Sequence, residues 1–274
     1  MYHIDERPFA STQALAEVFN ELDSVGNVAE LKATLGRVCK GLGFDKFLLT
    51  MVMPTMTGRY SKFTLTNYPE DWSEIYLRHK YFHVDPVLHH CRLRSTPIDW
   101  RDLRCPAAVG LDQFLPFTEQ VRQFGLLNGV SVPLRGVGGA WGLLSLNYAD
   151  TTGAGRRSWT DMATAKLLGS YLQDAVYRLI VEQGREPRKE GLSARETECL
   201  HWICAGKTAG EVAQILEICE STVVFHLKNI MRKTDAVNRL QAAVRSSHWL
   251  ATDPDFFFSN SAAAPLLEQF GSMG

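Results

Sequence analysis

The chain has 274 residues, of which 22% are charged, and a formal net charge of −1. That length predicts two domains, and near-neutrality excludes nucleic-acid binding through overall charge, so any such contact must come from a local patch. No apolar stretch approaches the ~20 residues that span a membrane, and the six cysteines form no CxxC pair, as expected of reduced, mostly buried thiols.

The N-terminus, MYHIDERPF, lacks the apolar core of a signal peptide, so a cytoplasmic location is expected. Helices are expected over about 12–22 and 28–40. Phe47 to Met53 is a continuous apolar run of strand length, and Lys62 to Thr66 alternates around Phe63 and Leu65.

The stretch NYPEDWSEIYLRHKYFHVDPVLHHCRLRSTPIDW follows, setting Tyr68, Trp72, Tyr76, Tyr81 and Trp100 around a single Asp85. Trp72 and Tyr76, four apart, would share a helix face. Asp85 followed by Pro86 suits a chain reversal that aims the carboxylate inward. A lone carboxylate among aromatics with polar tips suits a neutral amide: it accepts an N–H while indole or phenol groups donate to a carbonyl. On composition alone the plainer reading is an aromatic core in which Asp85 caps a turn. Four histidines fall within His79 to His90, but His79 and His83 lack the intervening Glu of a zinc-protease helix, and no second ligand group is spaced for closure. No metal site is expected.

Gly129 to Leu134 and Trp141 to Tyr148 flank Arg135-Gly136-Val137-Gly138-Gly139-Ala140 as a hairpin, without the Lys-Ser/Thr ending of a phosphate-binding loop. The last strand is apolar on both faces, with Leu144, Leu146 and Tyr148 on one and Trp141 and Leu143 on the other, so helices should cover both sides of the sheet. The expected fold class is α+β: an N-terminal α/β/α sandwich with an antiparallel sheet, followed by a C-terminal all-α helix-turn-helix domain.

An amphipathic run from Trp159 to Ile180, opened by Ser158 with Asp161 three positions later, gives way to residues 182–191, which have nothing apolar to bury and carry Gly and Pro breakers. The expected division is 1–183 for a ligand-binding domain, 184–191 for a linker, 192–250 for a DNA-binding domain and 251–274 for an extension.

Within Leu192–Val244, Ser193 precedes Glu196 and Thr208 precedes Glu211 by three positions, two capping boxes, and Ser221 is expected to open a third helix. Apolar stripes follow at Leu200, Ile203 and Cys204, at Val212, Ala213 and Leu216, and at Val223, Leu227 and Ile230. Gly206 ends the first helix, and Glu217-Ile218-Cys219 makes the turn before the helix that would enter the major groove. Val224 and Lys228 lie one turn apart on its outer face and would reach base edges, while Thr222, Arg232 and Lys233 are placed as phosphate contacts. From Ser221 to Arg245 five basic residues stand against one acid. That modest excess favours a dimer reading two half-sites of double-stranded DNA.

These residues carry a family likeness. The Leu192–Val244 segment resembles the DNA-binding domain of LuxR-type regulators, with Glu196, Leu200 and Gly206 at its signature positions. Trp72, Tyr76, Asp85, Pro86, Trp100 and Gly129 are similar to the signature positions of that family's ligand-binding domain. The resemblance implies a homodimeric receptor for an N-acyl-homoserine lactone that binds inverted-repeat DNA, without a cofactor. It further implies that Trp72 donates to the lactone carbonyl, that Asp85 accepts the amide N–H and that Tyr68 with Ser145 donates to the amide carbonyl. Tyr76 and Trp100 would line the cavity, with Leu143 and Trp141 on the Ser145 face of the strand. Two positions depart: Ser73 stands where related members carry Arg, and Val224 where a polar residue is common. The alternative is a regulator of the same build that answers another small amide or acts through heterodimers. No nucleophile with a base partner accompanies Asp85, so an enzyme is not expected.

Overall fold

The computed structural model describes residues 12–54, 60–136, 139–148, 159–182 and 192–244. The expected linker, the Ser158 helix start and the extension after Leu250 lie outside these residues. The chain forms two compact units.

The first unit opens with α1 (Thr12–Ser24) and α2 (Val28–Gly41), the latter capped by the Asn27 side chain accepting from the Glu30 amide. Its sheet has the order β2-β1-β5-β4-β3, built from β1 (Lys46–Pro54), β2 (Tyr60–Thr66), β3 (Ile98–Asp99), β4 (Gly129–Arg135) and β5 (Trp141–Asn147). The β1–β5, β5–β4 and β4–β3 pairs are antiparallel. Leu144 sits opposite both Leu49 and Val132. That register sends Phe47, Leu49, Met51, Val130, Val132, Leu134, Leu144 and Leu146 to one face, each at most 2% exposed. Burying each such side chain stabilises the unit by about 1.5–3 kcal/mol. Helix α6 (Trp159–Tyr177) covers this face so closely that a Cβ on Gly169 would sit 2.8 Å from the Leu134 methyl, and α2 brings Gly36 over the Phe47 ring. The expected run to Ile180 is helical but changes character, ending in a π-helical turn at Arg178–Glu182.

The opposite face carries Ser131, Leu143, Ser145 and Asn147. Over it lie α3 (Glu70–Arg78), a 3-10 turn at Tyr81–His83, α4 (Pro86–Leu93) and α5 (Leu111–Gln123). Arg135 clamps α4 to the sheet, donating from Nη2 to the Cys91, Arg92 and Arg94 carbonyls at 2.6, 3.0 and 3.3 Å, the helix end whose carbonyls have no partner of their own. Helix α5 has no counterpart in the sequence reading, because Pro116 stands inside it as a breaker would.

The second unit holds α7 (Ala194–Cys204), α8 (Ala209–Leu216), α9 (Glu220–Thr234) and a final helix, α10, at 239–244. Both capping boxes form. Gly206 adopts φ +85 after α7, with its amide on the Ile203 carbonyl and the Lys207 amide on the Trp202 carbonyl, the paired bonds of a Schellman ending. The core joins Cys199 and Leu200 to Val212, Ala213, Val223, Leu227, Ile230, Ala242 and Ala243. Cys204, expected on the buried stripe, is exposed instead, and Cys199 takes its place in the core. The expected start at Ser221 also moves: α9 begins at Glu220 with Cys219 as a cap that makes no side-chain hydrogen bond. The left-handed Glu217, φ 55, turns the chain there, so backbone geometry sets the start that a hydroxyl was expected to set.

Candidate functional site

Helix α3 presents Trp72 and Tyr76 on one face, their rings 5.7 Å apart. Trp72 is buried against Tyr81, Phe117 and Phe124, with centroids 6.4, 6.4 and 5.4 Å away. Two of those rings come from α5 and the residue that follows it, the segment the sequence reading passed over. The Asp85–Pro86 reversal becomes the start of α4. Asp85 Oδ1 accepts from the Val87 and Leu88 amides at 2.8 and 3.4 Å, while Oδ2 accepts from the Tyr76 hydroxyl at 2.8 Å.

Asp85 therefore caps a helix, as the plainer reading of the sequence expected, and its second oxygen is held by an aromatic hydroxyl. Burial raises its pKa above the ordinary carboxylate value, opposed by the Tyr76 hydroxyl and the two cap amides. Tyr76 is pushed up by burial and then by the Asp85 charge. Tyr68 is raised by burial first and by the Asp85 charge second. Its hydroxyl is buried with no hydrogen-bond partner among the described residues. Such a group costs about 1–3 kcal/mol.

Ser145 and Leu143 lie on the inner face of β5 at 3% and 4% exposure. The Ser145 hydroxyl is 2.7 Å from that of Ser131, directly across in β4. Trp100, expected as a cavity wall, is committed elsewhere by its polar end: its indole N–H donates to Ser131 Oγ at 2.8 Å. Ser131 escaped the sequence reading, and only its two-residue alternation with Gly129 and Pro133 signals the face it occupies. Gly129 is what lets the indole lie on the strand, since a Cβ there would meet the Leu146 carbonyl at 2.6 Å and the Trp100 ring at 3.0 Å.

In the second unit, α9 exposes Ser221, Val224, Phe225, Lys228 and Arg232, with Thr222 half-buried at the edge. Glu220, Ser221, Val224, Phe225 and Lys228 line one shallow depression. Phe225, 60% exposed, was not singled out from sequence. Lys233 corrects the expectation of a phosphate contact. Its ammonium lies 2.8 Å from Glu196 Oε2, with the two side chains 11% and 5% exposed, so it ties α9 to α7 instead. Burial opposes ionisation of Glu196, but Lys233 and the Ser193 amide outweigh it and hold the carboxyl below its ordinary value.

Residues 27–176 match the autoinducer binding domain, and residues 190–246 match the bacterial regulatory proteins of the luxR family. The transcriptional activator protein AhyR of Aeromonas hydrophila is 31% identical over 237 residues, 84% of this chain and 89% of that protein. LuxR of Aliivibrio fischeri is 24% identical over 246 residues, 88% of this chain and 95% of that protein. Among solved structures, Escherichia coli SdiA superposes with a TM-score of 0.67 at 28% identity, covering 86% of this chain and 96% of that one. A structure of SdiA in complex with octanoyl-rac-glycerol also gives a TM-score of 0.67, at 26% identity over 90% of this chain and 97% of that one.

Proposed function

Because the chain belongs to the LuxR family of autoinducer-binding transcription regulators, we propose that it binds an N-acyl-homoserine lactone through residues 1–183 and, as a homodimer, an inverted-repeat operator through residues 192–250. The observation that carries the ligand assignment is the Tyr68 hydroxyl, buried and without a hydrogen-bond partner among the described residues. An acyl amide would supply the acceptor that Tyr68 lacks, its carbonyl accepting from Tyr68 and Ser145, while its N–H adds a donor to Asp85. In this reading Trp72 meets the lactone carbonyl, and Tyr76, Trp100 and Leu143 wall the site.

On the DNA side, Val224 and Lys228 face the bases and Thr222 and Arg232 the phosphates. Dimerisation is supported by the apolar surface around α10, where Val237, Leu240 and Val244 are 84%, 72% and 67% exposed. Ligand would stabilise the receptor by mass action, about 2.7 kcal/mol at a hundredfold excess over Kd.

A second reading has one specific support, the acyl glycerol held by the related SdiA. A glycerol hydroxyl would then replace the amide N–H as the donor to Asp85. Calorimetry with N-octanoyl-homoserine lactone and with octanoyl glycerol, followed by titration of each complex into an inverted-repeat duplex, separates the two. A chain that binds neither amphiphile, or that ignores DNA in every ligand state, is not the regulator proposed.

A further inference from the structure

Two side chains whose polar atoms the ligand does not need to touch, Trp100 and Ser131, decide what it must offer at Ser145. The Trp100 indole can only donate, so Ser131 Oγ accepts from it at 2.8 Å. Ser131 is fully buried, and Trp100 and Ser145 are the partners of its hydroxyl among the described residues. Its one proton must therefore go to Ser145 Oγ, 2.7 Å away, because the reverse direction would strand a buried O–H without an acceptor. Ser145 then accepts from Ser131, and its own proton is left without an acceptor among the described residues.

We propose that Trp100 and Ser131 are positioning residues that fix Ser145 as a donor, through the relay Trp100 to Ser131 to Ser145, and so restrict the ligand at that point to a hydrogen-bond acceptor. The relay is rigidly mounted. Asp99, 2% exposed, accepts the Arg101 amide at 2.9 Å and both arms of its guanidinium at 3.1 and 2.8 Å, which sets the turn carrying Trp100. β3 holds Ile98 and Asp99 opposite Ser131 and Val130, and Gly129 clears room for the ring. Bonds in such a chain polarise one another, so the indole strengthens a donor it never meets.

The inference rests on the receptor reading above, and its test separates the two. Affinities of N-octanoyl-homoserine lactone and of its thioamide analogue, in which sulfur weakens the acceptor, are measured by calorimetry for the wild type, Trp100→Phe, Ser131→Ala, Ser145→Ala and Trp100→Phe/Ser145→Ala. We expect Trp100→Phe and Ser131→Ala each to cost the amide about 3- to 10-fold, to cost the thioamide less, and to add little once Ser145 is alanine. Equal losses for both ligands, or fully additive losses in the double variant, would show that Trp100 only packs. Should Trp100→Phe not fold, Ser131→Ala alone carries the same comparison. A ligand-free readout guards against failure of the receptor reading itself: the Trp100 indole N–H resonance should move on Ser131→Ala and on Ser145→Ala. Movement only with Ser131→Ala would overturn the relay whatever the ligand proves to be.

Discussion

Asp85 caps α4 and is proposed to hold the ligand, and the two roles respond to different substitutions. Asparagine is as good a helix cap as aspartate, so Asp85→Asn should leave α4 in place while weakening lactone binding by about 1.5–3 kcal/mol through loss of the charged acceptor. The same change has an opposite effect on the ligand-free chain. Burial raises the folded pKa of Asp85, so its contribution is fully present below the ordinary carboxylate value and is lost as pH rises through the raised one. Thermal melts at about pH 7 should therefore show Asp85→Asn at least as stable as the wild type without ligand. A variant that melts early and binds unchanged would make Asp85 a cap alone. Tyr68 poses the complementary case. Tyr68→Phe removes a buried hydroxyl without an acceptor, so the ligand-free protein should gain about 1–3 kcal/mol while ligand affinity falls. Loss of stability without ligand would mean that the hydroxyl has a partner after all.

Helices α7 and α9 are joined by a contact that the spacing of charges along α9 could not reveal. Lys233 and Lys228 differ by five positions and so sit on different sectors of the helix, but which sector meets α7 depends on packing across three helices. Removing Lys233 leaves the buried Glu196 with only the Ser193 cap as its partner, so Lys233→Ala should cost the domain up to about 3–5 kcal/mol. Where it still folds, its DNA binding should keep the wild-type salt slope. Lys228→Ala should do the reverse, sparing stability and costing about 1–3 kcal/mol on the preferred operator. Glu196 also sets a pH limit. Its folded pKa is depressed, so its contribution is present above the unfolded value and is lost as pH falls through the folded one. Lys233→Ala should weaken that acid sensitivity, leaving the part that the Ser193 cap supplies.

The same distinction explains what was readable in advance. Capping boxes, the Gly206 ending and the β4–β5 hairpin are local, written within a few residues of where they act. The cover of Phe114, Phe117 and Phe124 over Trp72 was hidden by Pro116, and Ser131 gains its role only from the residue opposite it in β5 and the indole of a distant turn.

At the scale of the whole chain, net charge −1 would leave the proposed operator affinity dependent on doubling a weak contact. Leu240 stands 72% exposed on α10 with Val237 and Val244 nearby. Leu240→Glu should yield monomers in sedimentation and lose affinity for an inverted repeat, while binding to an isolated half-site stays as weak as before. Dimers that persist with full operator affinity would move the interface elsewhere.

The carboxylate buried behind Trp72 and Tyr76 has one more consequence, which concerns molecules that never activate the protein. Free fatty acids carry the same tail as an acyl lactone but end in an anion. Brought to Asp85, whose ionisation burial already disfavours, that group could stay only by taking up or sharing a proton, and it brings no N–H to donate. A greasy pocket alone would be permanently occupied by such amphiphiles. In the proposed receptor, the Asp85 carboxyl therefore favours a neutral amide over such acids at one point of the site.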